Sequence, residues 1–293
     1  MSARTQNRQK AIIYIISAAF FFAVMNCFVR LSGELPTPQK SFFRNFIAFI
    51  IAVFVLIKSG ETQRPKKADI PYLFVRSAAG TIGILGNFYA VDHMSSLSDA
   101  SMLNKMAPFF TIIFSYLILR EKPRLFQGLC VVAAFVGSLF IIKPSLDFSR
   151  SLPALIGLCG GLGAGLAYTF VRILSGRGVA GCWIVLIFSG FSCAVTLPVL
   201  IADYTPMSSK QIMMLLGASI AAAGGQFSVT AAYSNAPAKE ISIFDYFQII
   251  FAALLGFFFF GQIPDGYSLI GYVIVIGASA VMYIGNKKER PQH

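Results

Sequence analysis

Apolar runs of roughly twenty residues, each closed by a charge, a proline or a glycine, recur near 11–32, 41–58, 70–91, 98–119, 125–143, 152–174, 182–202, 211–233, 239–261 and 267–285. A helix needs about 20 consecutive apolar residues to cross the hydrocarbon core. The pattern therefore predicts an all-α membrane protein with ten transmembrane helices. An even number of crossings returns the C-terminus to the side of the N-terminus. The polar links are short, and the longest, Lys58 to Asp69, leaves no room for a soluble domain.

The pattern also repeats on itself. FVRLSG at Phe28 to Gly33 returns as FVRILSG at Phe170 to Gly176, Gly86-Asn87-Phe88 as Gly225-Gln226-Phe227, Pro123 as Pro264, and Gly137 as Gly277. Markers that keep their order predict two five-helix repeats, residues 1–145 (helices 1–5) and 146–293 (helices 6–10). Five is odd, so the second copy enters the membrane from the opposite face. The expected architecture is an inverted repeat with a substrate site near the midplane between its halves.

Composition narrows the picture. Hydrophobic residues make up 56% of the chain and charged residues 12%, with mean hydropathy +0.72, where soluble domains hold about 25% charged. The net charge of +12 would suit nucleic acid, but the basic residues sit in the short links, so no nucleic-acid partner is expected and the charge reads as topology. With both termini inside, sixteen of the 24 Lys and Arg fall on inner segments, and only Lys40, Lys143, Arg150 and Lys210 fall on outer loops. The positive-inside rule thus predicts a multi-pass protein of the cell inner membrane with cytoplasmic N- and C-termini. The five cysteines lie in apolar runs without C-x-x-C, and the two histidines are far apart, so neither a disulfide framework, a metal site nor a cofactor is expected. No G-x-x-x-x-G-K-[ST] motif occurs, which excludes a nucleotide-hydrolysing motor of that type.

The charges inside the apolar runs are the candidate chemistry. Lys105 lies well inside the fourth run, where a cation costs about 2.5–3.5 kcal/mol on insertion scales. Its counterpart in the second repeat is Asp245. As inverted mates the two are expected on opposite sides of the midplane, about 10 Å apart in depth at about 1.5 Å per residue. They would pair directly or be bridged by water or a zwitterionic substrate. Met102, Lys105, Met106 and Phe109 share a helix face with Asn104 and Pro108 beside it, and Pro108 frees the carbonyl of Asn104 for a bend. On helix nine Ser242, Asp245, Tyr246 and Ile249 share a face, with Gln248 close by. Arg76 in helix three and the counterparts Asn87 and Gln226 complete the candidate substrate-binding set: Lys105, Asp245, Arg76, Asn87, Gln226, Asn104, Tyr246 and Gln248. The alternatives are a purely structural ion pair for Lys105 and Asp245 and snorkelling to the interface for Arg76. Arg30, Arg44 and Arg172, near helix ends, read as interface anchors, and the Gly157, Gly161, Gly165 stripe reads as close helix packing.

Two blocks of sequence resemble a known family. GNFYAVDHMSSLSDASMLNKMAPFFTIIFSYLILREKPRLFQGLCVVAAFVGSLFI and FDYFQIIFAALLGFFFFGQIPDGYSLIGYVIVIGASA resemble the two repeats of the ten-helix, EamA-like branch of the drug/metabolite transporter superfamily. The Gly86-Asn87 end of helix three, Pro108, the Arg120-Glu121-Lys122-Pro123 link and the glycine-rich helix after it carry the resemblance. It implies a basket in which helices one, three, four, six, eight and nine surround a central cavity, and a cargo of amino acids, nucleotide-like metabolites or drugs. One feature departs from the family pattern: Gln262-Ile263-Pro264 stands where a glutamate usually precedes the proline.

The expected function is secondary transport of a small organic metabolite, amino-acid-like or nucleotide-like, anionic or zwitterionic, by alternating access. Its partners would be the small-molecule substrate, the lipid bilayer, and a counter-substrate or a proton, the latter carried by Asp245 as the only acid well inside the membrane. Monomer and homodimer both fit, and no enzymatic activity is expected. A multidrug or toxic-compound exporter stays open as an alternative, although a cationic drug beside Lys105 adds repulsion in a low dielectric. An integral-membrane lipid enzyme would have to be built on Asp92, His93 and Asp99.

Overall fold

A computed structural model describes residues 3–61, 63–93, 103–142, 151–261 and 265–288. These fold into helices without a strand: α1 (Ala3–Leu31), α2 (Thr37–Ser59), α3 (Ile70–His93), α4 (Ala107–Leu119), α5 (Leu125–Ile142), α6 (Ser151–Gly176), α7 (Gly181–Ala202), α8 (Ser209–Asn235), α9 (Ala238–Phe260) and α10 (Gly266–Lys288). Among the described residues seven of these are long and apolar enough to cross a bilayer, and α4 and α5 add shorter apolar helices. Outward faces expose Phe54, Ile57, Phe258 and Val273, while small residues such as Ala18, Ala48, Ala52 and Ala222 are buried between helices. Large apolar side chains outside and small ones inside is the pattern of a bundle solvated by lipid, where close approach of backbones drives association.

α1 packs most extensively on α8 and α3 on α6, followed by α5 on α10 and α2 on α7, with α4 against α6 and α9 against α1. Exchanging each helix for the one five places on returns the same pairs: α1 with α8 becomes α6 with α3, and α4 with α6 becomes α9 with α1. Glycine sets the distance at the α3–α6 seam. A Cβ on Gly86 would stand 2.8 Å from the Cα of Gly160, and one on Gly165 would stand 2.6 Å from the Cβ of Phe110 in α4. The stripe on α6 is thus close packing, as its spacing implies. At the α1–α8 seam the rings of Phe21 and Phe22 lie on Gly224 and Gly225.

Two predicted helices are interrupted. Leu103 and Asn104 are helical, Lys105 and Met106 are not, and α4 begins at Ala107 with Pro108 in its first turn; the predicted start at residue 98 lies outside the described residues. α9 opens with one turn, Ala238–Ile241, passes through a 3-10 stretch, Ser242–Tyr246, and becomes α-helical at Phe247. Both helices also end alike, in the left-handed region at Arg120 (φ 56) and Gly261 (φ 62). That conformation costs a residue with a side chain about 1–2 kcal/mol. At Arg120 the cost is offset by the Ser115 carbonyl, which accepts the N–H groups of Arg120 and Glu121, and by the Ser115 hydroxyl, which donates to the Glu121 carboxylate at 2.8 Å.

Candidate functional site

The two helix breaks meet at the centre of the bundle. A proline cannot donate a backbone hydrogen bond, so Pro108 leaves the Asn104 carbonyl unclaimed and the chain bends there. The 3-10 stretch on α9 tightens the opposite helix at its counterpart, and a mid-helix 3-10 segment commonly marks a hinge. Lys105, from the first break, donates to Gln248 Oε1 at 2.6 Å and lies 3.5 Å from Asp245 Oδ2, from the second. The expected separation of about 10 Å is therefore corrected: both residues sit at the crossing of α4 and α9, so the repeat brings them together instead of staggering them in depth. At 3.5 Å the ammonium and carboxylate attract as charges, and the short hydrogen bond belongs to Gln248. Tyr246 is fully buried, and its hydroxyl donates to the carbonyl of Lys105 at 3.2 Å. It stands behind the pair and pins the α4 break.

A cavity of about 70 Å³ opens beside this cluster, lined by residues that include Asn26, Arg44, Arg76, Tyr168, Gln226 and Asp245. A second, of about 110 Å³, adjoins it and is lined by Lys105, Arg30 and the apolar Leu255 and Phe260. Asn26, Asn87, Phe88, Asn104 and Gln248 line both, so the two form one site with a polar chamber and a more apolar one. At 10–15 Å³ per water the polar chamber of about 70 Å³ holds the equivalent of about five to seven waters.

The arginines divide differently from the sequence expectation. Arg76 is 1% exposed. It does not snorkel: its Nη2 donates to Gln226 Oε1 at 3.1 Å and its guanidinium lies 3.9 Å over the ring of Phe188. Arg44 is no interface anchor. It is 3% exposed, its Nε donates to the sulfur of Met25 and its Nη1 to Asn45. Asn45 in turn bonds Ser192, tying α2 to α7. Arg44 and Phe188 bring α2 and α7 into a cavity wall that the resemblance left to helices one, three, four, six, eight and nine. Asn26 and Tyr168 also line the cavity, outside the predicted substrate-binding set. These are counterparts two positions before the repeated FVR motif, so the repeat itself carried the signal.

The end of the bundle that holds the termini is closed by ion pairs. Arg8 lies 3.5 Å from Glu240, and Arg172 lies 3.5 Å from Glu121. These residues, with Lys239 and Ser234, line a polar vestibule of about 520 Å³. Tyr168 on the central cavity stacks on Tyr233 with ring centroids 5.0 Å apart, and the next residue, Ser234, faces the vestibule, so the stack stands between the two spaces. Arg177 donates to Asp69 at 2.6 Å, covers the ring of Tyr72 and joins the α2–α3 link to the end of α6. The guanidinium holds the Asp69 carboxyl below the usual carboxylate range, chiefly through that hydrogen bond. Arg30, the counterpart of Arg172, lies 4.5 Å over the ring of Phe260. With glutamine at 262, outside the described residues, the first repeat's Arg30 lies on an aromatic face where the second repeat's Arg172 meets a carboxylate. At the opposite end Gln39 exchanges two hydrogen bonds with the backbone of Thr205.

His93 is exposed, its Nδ1 donates to the Tyr89 carbonyl and its ring stacks on the Tyr89 ring; Asp99 lies outside the described residues. Among the described residues no three His, Cys, Asp or Glu side chains gather as metal ligands.

A lipid-faced helical bundle enclosing a charged cavity between two packed halves defines a multi-pass membrane transporter. The chain belongs to the EamA-like transporter family, whose model matches residues 9–143 and again residues 151–284. It is 31% identical over 273 residues to the pseudopaline exporter of Pseudomonas aeruginosa, covering 92% of this chain and 94% of that protein. It is 23% identical to the riboflavin transporter of Vibrio cholerae over 95% of this chain and 94% of that one, and 23% identical to human solute carrier family 35 member G1 over 92% and 77%. A crystal structure with 12% identity superposes with a TM-score of 0.83 over 97% of this chain and 100% of that one, a likeness of fold.

Proposed function

We propose that this protein is a secondary carrier that moves a small anionic or zwitterionic organic metabolite across the inner membrane by alternating access. The observation that carries the reading is the charge of the central cavity: Arg44, Arg76 and Lys105 are buried there against one buried carboxylate, Asp245. Buried charge is costly unless compensated, so a site with surplus cations fits a cargo that brings the missing negative charge. A cationic drug would add to the excess.

Two five-helix repeats of opposite orientation fit the exchange symmetry of the packing, since an odd number of helices turns the second copy over. In that arrangement the Lys105–Asp245 crossing lies on the pseudo-axis, and the broken α4 and α9 act as hinges. The Arg8–Glu240 and Arg172–Glu121 pairs and the Tyr168–Tyr233 stack would part when the site opens toward the termini. Links at that end carry most of the Lys and Arg, which supports a cytoplasmic orientation for it. The pseudopaline exporter and the riboflavin transporter are each named for an organic molecule, which supports the substrate class, and the name of the former supports outward movement.

The reading is tested in proteoliposomes loaded with a metabolite panel. Saturable flux, accelerated by substrate on the far side and competed by anionic but not cationic analogues, is expected. Flux linear in concentration, or competition by cations alone, would refute it.

A further inference from the structure

The polar chamber holds two guanidinium groups that are not ion-paired with any carboxylate among the described residues. Among the described residues, Lys105 is the only cation within ion-pair distance of Asp245, and neither Arg44 nor Arg76 has an acidic partner. A guanidinium carries five N–H donors. Arg76 commits one, to Gln226, and its Nε has no partner; Arg44 commits two, one of them to the weak thioether acceptor of Met25. The Arg76 head is nevertheless fixed, flat on Phe188, in space that exists because position 80 is glycine. A Cβ there would stand 2.5 Å from Arg76 Nη1 and 2.8 Å from the Phe188 ring. A planar fork held rigid with four of its five N–H groups uncommitted matches a carboxylate in bidentate geometry, which an ammonium cannot do.

We infer that Arg44 and Arg76 form a receptor for two carboxylate groups, so that the substrate class of the transport site proposed above, on which this rests, is a dicarboxylate or an amino dicarboxylate. Lys105 is neutralised by Asp245 within the protein, and it is the arginine pair that sets how many negative charges the cargo must bring. An amino group on the cargo faces Asp245 in the same chamber, and an uncharged arm extends past Asn87 and Asn104 toward Leu255 and Phe260.

The test uses the full-length protein in detergent micelles, with thermal unfolding followed against glutarate, L-glutamate, L-glutamine, glycerol 3-phosphate and cadaverine. Ligand binding raises the unfolding midpoint by mass action. Glutarate and glutamate are expected to stabilise the wild type with affinities at least about tenfold above that of glutamine, and cadaverine to have no effect. Arg44→Gln and Arg76→Gln should each weaken glutarate about tenfold or more. Without ligand they should melt no lower than the wild type, because each removes an uncompensated buried charge. If a glutamine variant fails to fold, Arg76→Lys and Gly80→Ala decide: the first keeps the charge and loses the fork, the second displaces the head, and both should weaken glutarate. Glutarate binding unchanged in the arginine or glycine variants, no stabilisation by either dicarboxylate, or glycerol 3-phosphate binding tighter than glutarate would each overturn the receptor. Saturable transport of a monocarboxylate that survives both glutamine changes would overturn it while leaving the carrier standing; dicarboxylate binding without any flux would do the reverse.

Discussion

Removing one member of the Lys105–Asp245 pair should destabilise the protein far more than removing both. The two side chains are 4% and 8% exposed and their charged atoms are 3.5 Å apart. At an effective dielectric of about 20, their Coulomb attraction is about 4–5 kcal/mol. Much of that attraction is spent on desolvating the two ions, so the pair contributes little net stability. Leaving a partner alone is different: an orphaned buried ion costs about 3–5 kcal/mol. Lys105→Met strands Asp245. Asp245→Leu strands Lys105, which keeps its 2.6 Å bond to Gln248 and a 3.5 Å contact with the backbone carbonyl of residue 245 but no counter-ion. The double variant strands neither and should lie within about 1–2 kcal/mol of the wild type, giving a coupling energy of at least about 2 kcal/mol. The assay is reversible unfolding in mixed micelles, reported by the single tryptophan, Trp183 on α7. Coupling within about 0.5 kcal/mol of zero would show that the charges do not sense each other across the α4–α9 crossing and would remove the ionic link between the two hinges.

Gly86→Val places side-chain atoms where the backbone of Gly160 already lies and should cost about 1–3 kcal/mol or more through overpacking, read as a lower unfolding midpoint; an unchanged midpoint would mean that the α3–α6 seam can yield. The Asp69–Arg177 contact should make stability depend on acidity. Because the Asp69 carboxyl titrates below its unfolded value, of about 3.9, its contribution is present above that value and lost as pH falls through the folded one. Asp69→Asn should abolish that loss, and identical acid profiles for variant and wild type would exclude the contact as its source. A ligand-free cavity with two uncompensated arginines is expensive to occlude, so loaded carriers should reorient at least about tenfold faster than empty ones. Isotope exchange in proteoliposomes should then outrun net efflux by that factor, and equal rates would refute it.

The chain alone makes the helices legible, because crossing a bilayer demands long apolar runs and because the FVR and Gly-Asn/Gly-Gln markers repeat in order. Lys105, Asp245, Arg76, Asn87 and Gln226 stood out for the same reason: a polar group inside such a run is expensive and visible. Arg44 did not stand out. It lies close to the start of its run, where a sequence cannot separate a side chain reaching out to the interface from one turned in among Met25, Asn45 and the cavity. Tyr246 erred in the other direction, sharing a face with Asp245 on an ideal helix while the 3-10 winding at that point turns its ring away from the cavity.

What the sequence determined by itself was therefore the solvent of the protein, its repeats and the residues too polar to be there without a reason. The tertiary structure decided how those residues are paired. Lys105 and Asp245 are 140 positions apart along the chain and were expected at different depths, and only the crossing of two interrupted helices brings them into contact. That pairing leaves Arg44 and Arg76 without an acidic partner among the described residues, because compensation between ions depends on distance in space, which no pattern along a single chain records.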